Sequence, residues 1–132
     1  MIVMNIIKNQ KGQSLVEFAI ILPILLLLLF GIAEFGIMLN SYLTIQNVAR
    51  EGARLGIIGG SDVEITSLIT ATSPNLTPAD MSIAITPSEL NRKSGDTLQV
   101  IVTYNYHMTV PIISSLVGNI IVLTAQTSMR IE

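Results

Sequence analysis

The chain has 132 residues, half of them hydrophobic and only 12% charged, whereas a soluble domain carries about 25% charged residues. That balance points to a membrane-inserted part beside one small domain. A formal charge of −2 gives no basic surface for nucleic acid or anionic lipid, and the absence of cysteine excludes disulfides, thiolate metal sites and a thiol nucleophile.

The first element is an apolar helix. Gly12-Gln13-Ser14-Leu15-Val16-Glu17-Phe18 opens into sixteen residues, 18–33, without a charge. About 20 apolar residues cross a bilayer as a helix, and residues 18–39 meet that length with some tilt. A cleaved signal peptide is the rival reading, with Gly31-Ile32-Ala33 as its cleavage site, but the bulky run of residues 25–29 favours a span. Lys8 and Lys11 flank the run without an intervening acid, which predicts a cytoplasmic N-terminus and an exported remainder. Pro23 interrupts the run. It is either a tolerated kink or a point where the helix unwinds.

Glu17 and Glu34 are the only charges between Leu15 and Leu39. Carboxylates within a span are costly and mark function. Counted from Leu15, Glu34 falls near the outer boundary of the hydrocarbon. There it is either hydrated or in polar contact with another transmembrane helix.

The helical pattern continues past Leu39. Ile45, Ala49, Gly52 and Gly56 share one face, and three of the four are very small. Small residues four apart let another backbone approach closely. The expected cover is a sheet of the same chain. Arg50 and Arg54 share a different face, and Glu51 reaches Arg54 at three residues. This face is either solvated or a docking surface for a partner. Gly59-Gly60 ends the helix. Residues 14–58 would extend roughly 65 Å, about twice the bilayer core.

Beyond Gly60 the pattern predicts an α+β head. Ser61 and Glu64 form a capping box for a short helix from Asp62 to about Thr72. Met81, Ile83 and Ile85 alternate with Ser82 and Ala84 as a first strand. Leu98, Val100, Val102, Tyr104, Tyr106 and Met108 alternate with Gln99, Ile101, Thr103, Asn105 and His107 as a second. Residues 120–131 form a third. Short connections imply an antiparallel three-stranded meander. The uncharged segment 110–118 is apolar for a loop. Either it is a short helix folded on the head core, or it touches membrane or a partner.

No catalytic constellation is visible. His107, the only histidine, lies on the outward face of the second strand, and neither a phosphate loop, a nucleophile elbow nor calcium-loop spacing occurs. The reading therefore contains no catalytic residue, no metal, no cofactor and no small-molecule substrate.

Taken together, the 12–18 junction, the Pro23 break, Glu34 with Gly36, the Ala49-Arg50-Glu51-Gly52-Ala53-Arg54 segment and a small β-rich C-terminus resemble the TadE-like family. These are minor pseudopilins of the tight-adherence (Tad/Flp) pilus and secretion system. The resemblance is strongest over residues 11–56. It implies a leader of residues 1–12 cut by a prepilin peptidase between Gly12 and Gln13. A transmembrane and stalk helix over residues 13–58 and an exported head over residues 61–132 would follow. By the same resemblance, Glu17 neutralises a neighbouring subunit's N-terminal amine. Subunit contacts are expected at Glu17, Phe18, Glu34, Arg50 and Arg54, with other pilins or pseudopilins as partners. Two departures stand out. Gln13 is not the aromatic residue or Met common at the mature start of type IV pilins. Phe18 replaces the Tyr of major Flp pilins, which argues against the main pilus subunit. The alternative is an unprocessed single-pass binding or sensory module.

Overall fold

A computed structural model describes residues 10–132, with side chains from Gly12 onward. Most of the expected leader, Lys8 included, lies outside the described residues. The first element is one continuous helix, α1 (Gln10–Ile57), of 48 residues, which passes through Pro23 without a break. At 1.5 Å per residue it is about 72 Å long. It ends where Gly59 takes a positive φ of 97° and the Gly60 amide donates to the Leu55 carbonyl at 3.0 Å.

Burial divides α1 into two lengths. Between Gln13 and Ala33 every side chain is exposed or half-buried, and none of the most apolar 18-residue stretch is covered by the protein itself. Glu34 is the first buried residue of the described helix. Beyond it, Ile45, Val48, Ala49, Gly52, Ala53 and Gly56 turn one buried face to the head. An apolar helix with no protein cover over its first half fits a single-pass membrane protein.

The head follows as α2 (Asp62–Ala71), β1 (Met81–Thr86), β2 (Thr97–His107), α3 (Pro111–Val117) and β3 (Ile120–Arg130), with short 3-10 turns before and after β1. The capping box on α2 is present. Ser61 Oγ accepts from the Glu64 amide, and Glu64 accepts from the Ser61 amide. The Ser61 amide foremost, and then the Ser61 hydroxyl, both donating to Glu64 Oε2, hold the Glu64 carboxyl below its ordinary pKa. The strands form the expected antiparallel meander in the order β1-β2-β3. Their period-2 pattern sends Leu98, Val100, Val102, Tyr104 and Tyr106 inward against α1. The fold is thus α+β: a long helix, half of it bare, with a three-stranded sheet and α2 packed on the other half.

The cover over the small-residue stripe differs in part from expectation. At Gly52 it is α2 that approaches, not the sheet. A Cβ there would stand 2.8 Å from Ile69 Cδ1 and 3.1 Å from Ile65 Cγ2. At Gly56 the sheet does close in, with Leu98 and Ile65 against the glycine. Sequence periodicity finds the stripe but not which apolar element lies over each turn of it.

The connection from β1 to β2 carries a contact that patterning does not reveal. Arg92 reaches back 30 residues to pair with Asp62, and its guanidinium also donates to the Gly60 carbonyl at 2.7 Å and the Pro87 carbonyl at 3.2 Å. It ties the start of α2 to the loop after β1.

Candidate functional site

Seven residues were singled out by the sequence, and α1 carries all of them in the order Gly12, Gln13, Glu17, Phe18, Glu34, Arg50, Arg54. Gly12 and Gln13 sit within the opening turn of the described helix. Gln13 is exposed, and its Nε2 donates to Glu17 Oε1 at 3.3 Å, one turn downstream. Glu17 is therefore an exposed carboxylate with a neutral partner from its own chain. Phe18 beside it is also exposed. The two define an open patch at the start of the span.

Glu34 behaves differently. It is only 3% exposed. Oε1 accepts from the Tyr106 hydroxyl at 2.8 Å and from the Thr109 amide at 2.8 Å, and Oε2 accepts from the Val110 amide at 3.2 Å. All three donors belong to the same chain, at the end of β2 and in the turn leading to α3. A buried carboxylate must find such donors, because an unpaired one costs several kcal/mol. The hydrated reading of Glu34 does not hold, and the partners it finds within its own chain are strand and turn. Proximity decided this. β2 runs down α1 until its last residues stand level with Glu34. The contact marks Tyr106 in turn: burial first, then the hydrogen bond and charge of Glu34, push its phenol up to about 12. Tyr106, Thr109 and Val110 were missed as functional residues, since they lie 72 to 76 positions away. The one available signal was the tyrosine on the inward face of the second strand.

Arg50 and Arg54 are exposed on the far part of α1, on the side away from the core. Arg54 Nη2 pairs with Glu51 Oε2 at 3.2 Å, with both side chains more than half exposed. Exposed pairs of this kind contribute at most about 1 kcal/mol. Their guanidinium groups are left available at the surface.

One further pair of titratable groups meets on the sheet. His107 Nε2 stands 3.0 Å from Asp80 Oδ1 on the outward sheet face. Among the described residues no group of three or more His, Cys, Asp and Glu side chains could hold a metal ion.

The comparison with known families covers these same positions. Residues 12–54 match the TadE-like protein family. The match begins at Gly12, ends at Arg54 and stays within α1, so it includes all seven residues and none of the head. The matched stretch is about a third of the chain. No curated protein and no solved structure matches the chain.

Proposed function

We propose that this chain is a non-catalytic pseudopilin that helps assemble a Tad-type pilus or secretion apparatus after prepilin-peptidase cleavage between Gly12 and Gln13. One observation carries the reading. The TadE-like match starts at Gly12, where a small residue precedes an exposed Glu17 by five positions at the head of an apolar helix. Cleavage there removes Lys8 and Lys11 and creates an amine at Gln13, one helical turn from Glu17. In the described chain Glu17 has only the Gln13 amide side chain as its hydrogen-bond partner. A carboxylate at a membrane boundary gains from a cation, and an adjacent protomer's new amine supplies one. Arg50 and Arg54, exposed on the stalk, offer a second contact to the neighbouring pilins or pseudopilins. In this reading the N-terminus is cytoplasmic, the head is extracytoplasmic and the span lies in the cytoplasmic membrane.

Intact mass of membrane-extracted protein tests the reading. The expected mature form starts at Gln13, and Gly12→Val should abolish processing by its bulk at the scissile position. A mature chain that retains Met1 in cells with an active prepilin peptidase would instead support an unprocessed single-pass module.

A further inference from the structure

The segment between β2 and β3 does not fold on the head. From Met108 through this segment and along β3 to Met129 the chain contains no acidic or basic side chain. Its helix α3 leaves the sheet and lies along the bare half of α1. Ile113 Cδ1 would be 3.9 Å from a Cβ at Gly31, and Ile112 and Ile113 face Pro23, Leu27 and Phe30 across an apolar cleft. Those α1 residues precede Glu34 by 3 to 11 positions. At 1.5 Å per residue the tip therefore descends roughly 5–16 Å below Glu34 along the span.

We propose that α3 is a membrane wedge: the tip around residues 110–122 is buried in the acyl chains of the leaflet beneath the head. Three observations carry this. The first is continuity, because α3 lies beside the apolar half of α1, whose most apolar stretch has no buried residue. The second is composition. Of the large hydrophobic side chains the head leaves exposed, five cluster here: Ile112, Leu116, Val117, Ile120 and Val122. The third is hydrogen bonding. Backbone enters hydrocarbon only when its polar groups are satisfied internally. The Thr109 and Val110 amides go to Glu34. The Met108 amide donates to the Asn119 carbonyl at 2.9 Å and closes the neck. Pro111 has no amide to satisfy. The Ser114 and Ser115 hydroxyls donate to the Pro111 and Ile112 carbonyls at 2.8 and 2.7 Å, and the Gly118 amide returns to the Ser114 carbonyl at 2.8 Å. Glu34 then has a definite role at this boundary: its carboxylate takes up the two amides of the turn that enters the membrane.

The inference rests on α1 spanning the bilayer, and the test separates the two. The chain has no cysteine, so single cysteines can be introduced at Leu116 on the tip, Leu25 on the span and Leu90 at the far side of the head, and labelled with an environment-sensitive nitrobenzoxadiazole dye. Leu116 is 75% and Leu90 96% exposed, so neither substitution disturbs the core. The full chain is reconstituted alone into phosphatidylcholine–phosphatidylglycerol vesicles. The expected result is that labels at 116 and 25 both emit to the blue, are quenched by spin-labelled acyl chains and resist aqueous iodide, whereas 90 does the reverse. A label at 116 that follows 90 while 25 stays in lipid overturns the wedge and leaves the span standing. A blue-shifted label at 116 that spin-labelled lipid fails to quench also overturns it, in favour of a second protein copy over α3. If 25 itself is aqueous, the span fails and the wedge with it.

Discussion

Replacing Glu34 with leucine removes the acceptor on which three donors converge. The Tyr106 hydroxyl and the Thr109 and Val110 amides would each lose their carboxylate partner. A buried donor left unsatisfied costs about 1–3 kcal/mol, so the three together set an upper range of roughly 3–9 kcal/mol. Two effects reduce it. The mutant no longer buries a carboxylate, a relief of several kcal/mol. The two amides are only partly buried and can recruit water. A net loss of about 3 kcal/mol is expected from these opposing terms. Glu34→Gln separates charge from shape. Its amide oxygen can still serve Tyr106 and Thr109, which share Oε1, but its amide nitrogen then faces the Val110 N–H, donor against donor. About 1–2 kcal/mol should be lost, mainly one hydrogen bond and the charge assistance of the others. Thermal unfolding of the full chain in detergent, followed by circular dichroism, should rank wild type above Gln and Gln above Leu. At about 4–8 °C per kcal/mol for a domain this small, the leucine variant should melt more than about 10 °C lower. Amide hydrogen exchange at Thr109 and Val110 should quicken in the same order. A Glu34→Leu chain that melts with the wild type and keeps both amides protected would refute the buried-acceptor account and restore a hydrated carboxylate.

Gly52→Leu should destabilise the head by roughly 1–3 kcal/mol, since even a Cβ meets Ile69 at 2.8 Å, while Arg54→Ala should change it by less than about 1 kcal/mol; parallel melts of the two variants check the contrast. The raised Tyr106 phenol makes alkaline stability a reporter of the Glu34 contact. Its neutral form is favoured in the fold, so its contribution is complete below pH 10.0 and lost as pH rises towards about 12. Tyr106→Phe should flatten the pH dependence of unfolding in that window, and an unchanged slope would show that other groups govern it. Glu17→Gln should leave insertion and processing intact and reduce co-purification with pilin-like partners, because Glu17 is exposed and its hydrogen bond among the described residues is to neutral Gln13; undiminished co-purification would remove it from the subunit contact.

Local signals in the sequence were sufficient for local structure. The alternation from Leu98 to Tyr106 sets β2 and its inward face, because side chains in a strand change sides at every residue. The Ser61–Glu64 spacing sets the start of α2, because the capping groups lie within one turn. The stripe of Ala49, Gly52 and Gly56 is buried, as small residues on one helix face suggest. What escaped is whatever depends on how far β2 travels along α1. Glu34 and Tyr106 meet only because the strand ends level with that turn of the helix, and no periodicity within either segment encodes the register between them. The same holds for α3. Its composition announces an apolar surface, but its destination follows from the direction in which the β2–β3 connection leaves the sheet. Arg92 and Asp62 are a third case, joined across 30 residues by a loop without a repeating pattern.

The two carboxylates of α1 were alike as sequence, each an acid at one end of an apolar run, and the fold gives them opposite situations. Glu34 has three donors and almost no exposed surface, so its own chain leaves it little access for a second molecule. Glu17 has one weak neutral contact and an open surface. Desolvating a carboxylate without compensation is unfavourable. On the proposed reading, a protomer packing along the span gains more by bringing a cation to Glu17 than by approaching Glu34, which is buried and already accepts three hydrogen bonds. Geometry adds to this. α3 occupies the flank of α1 from Pro23 to Gly31, so close packing of another helix over the outer part of the span is confined to the remaining faces. Near Glu17 no such element intervenes among the described residues. On the proposed reading, this asymmetry favours lateral association at the Glu17 end of the span and leaves the Glu34 end to hold the head.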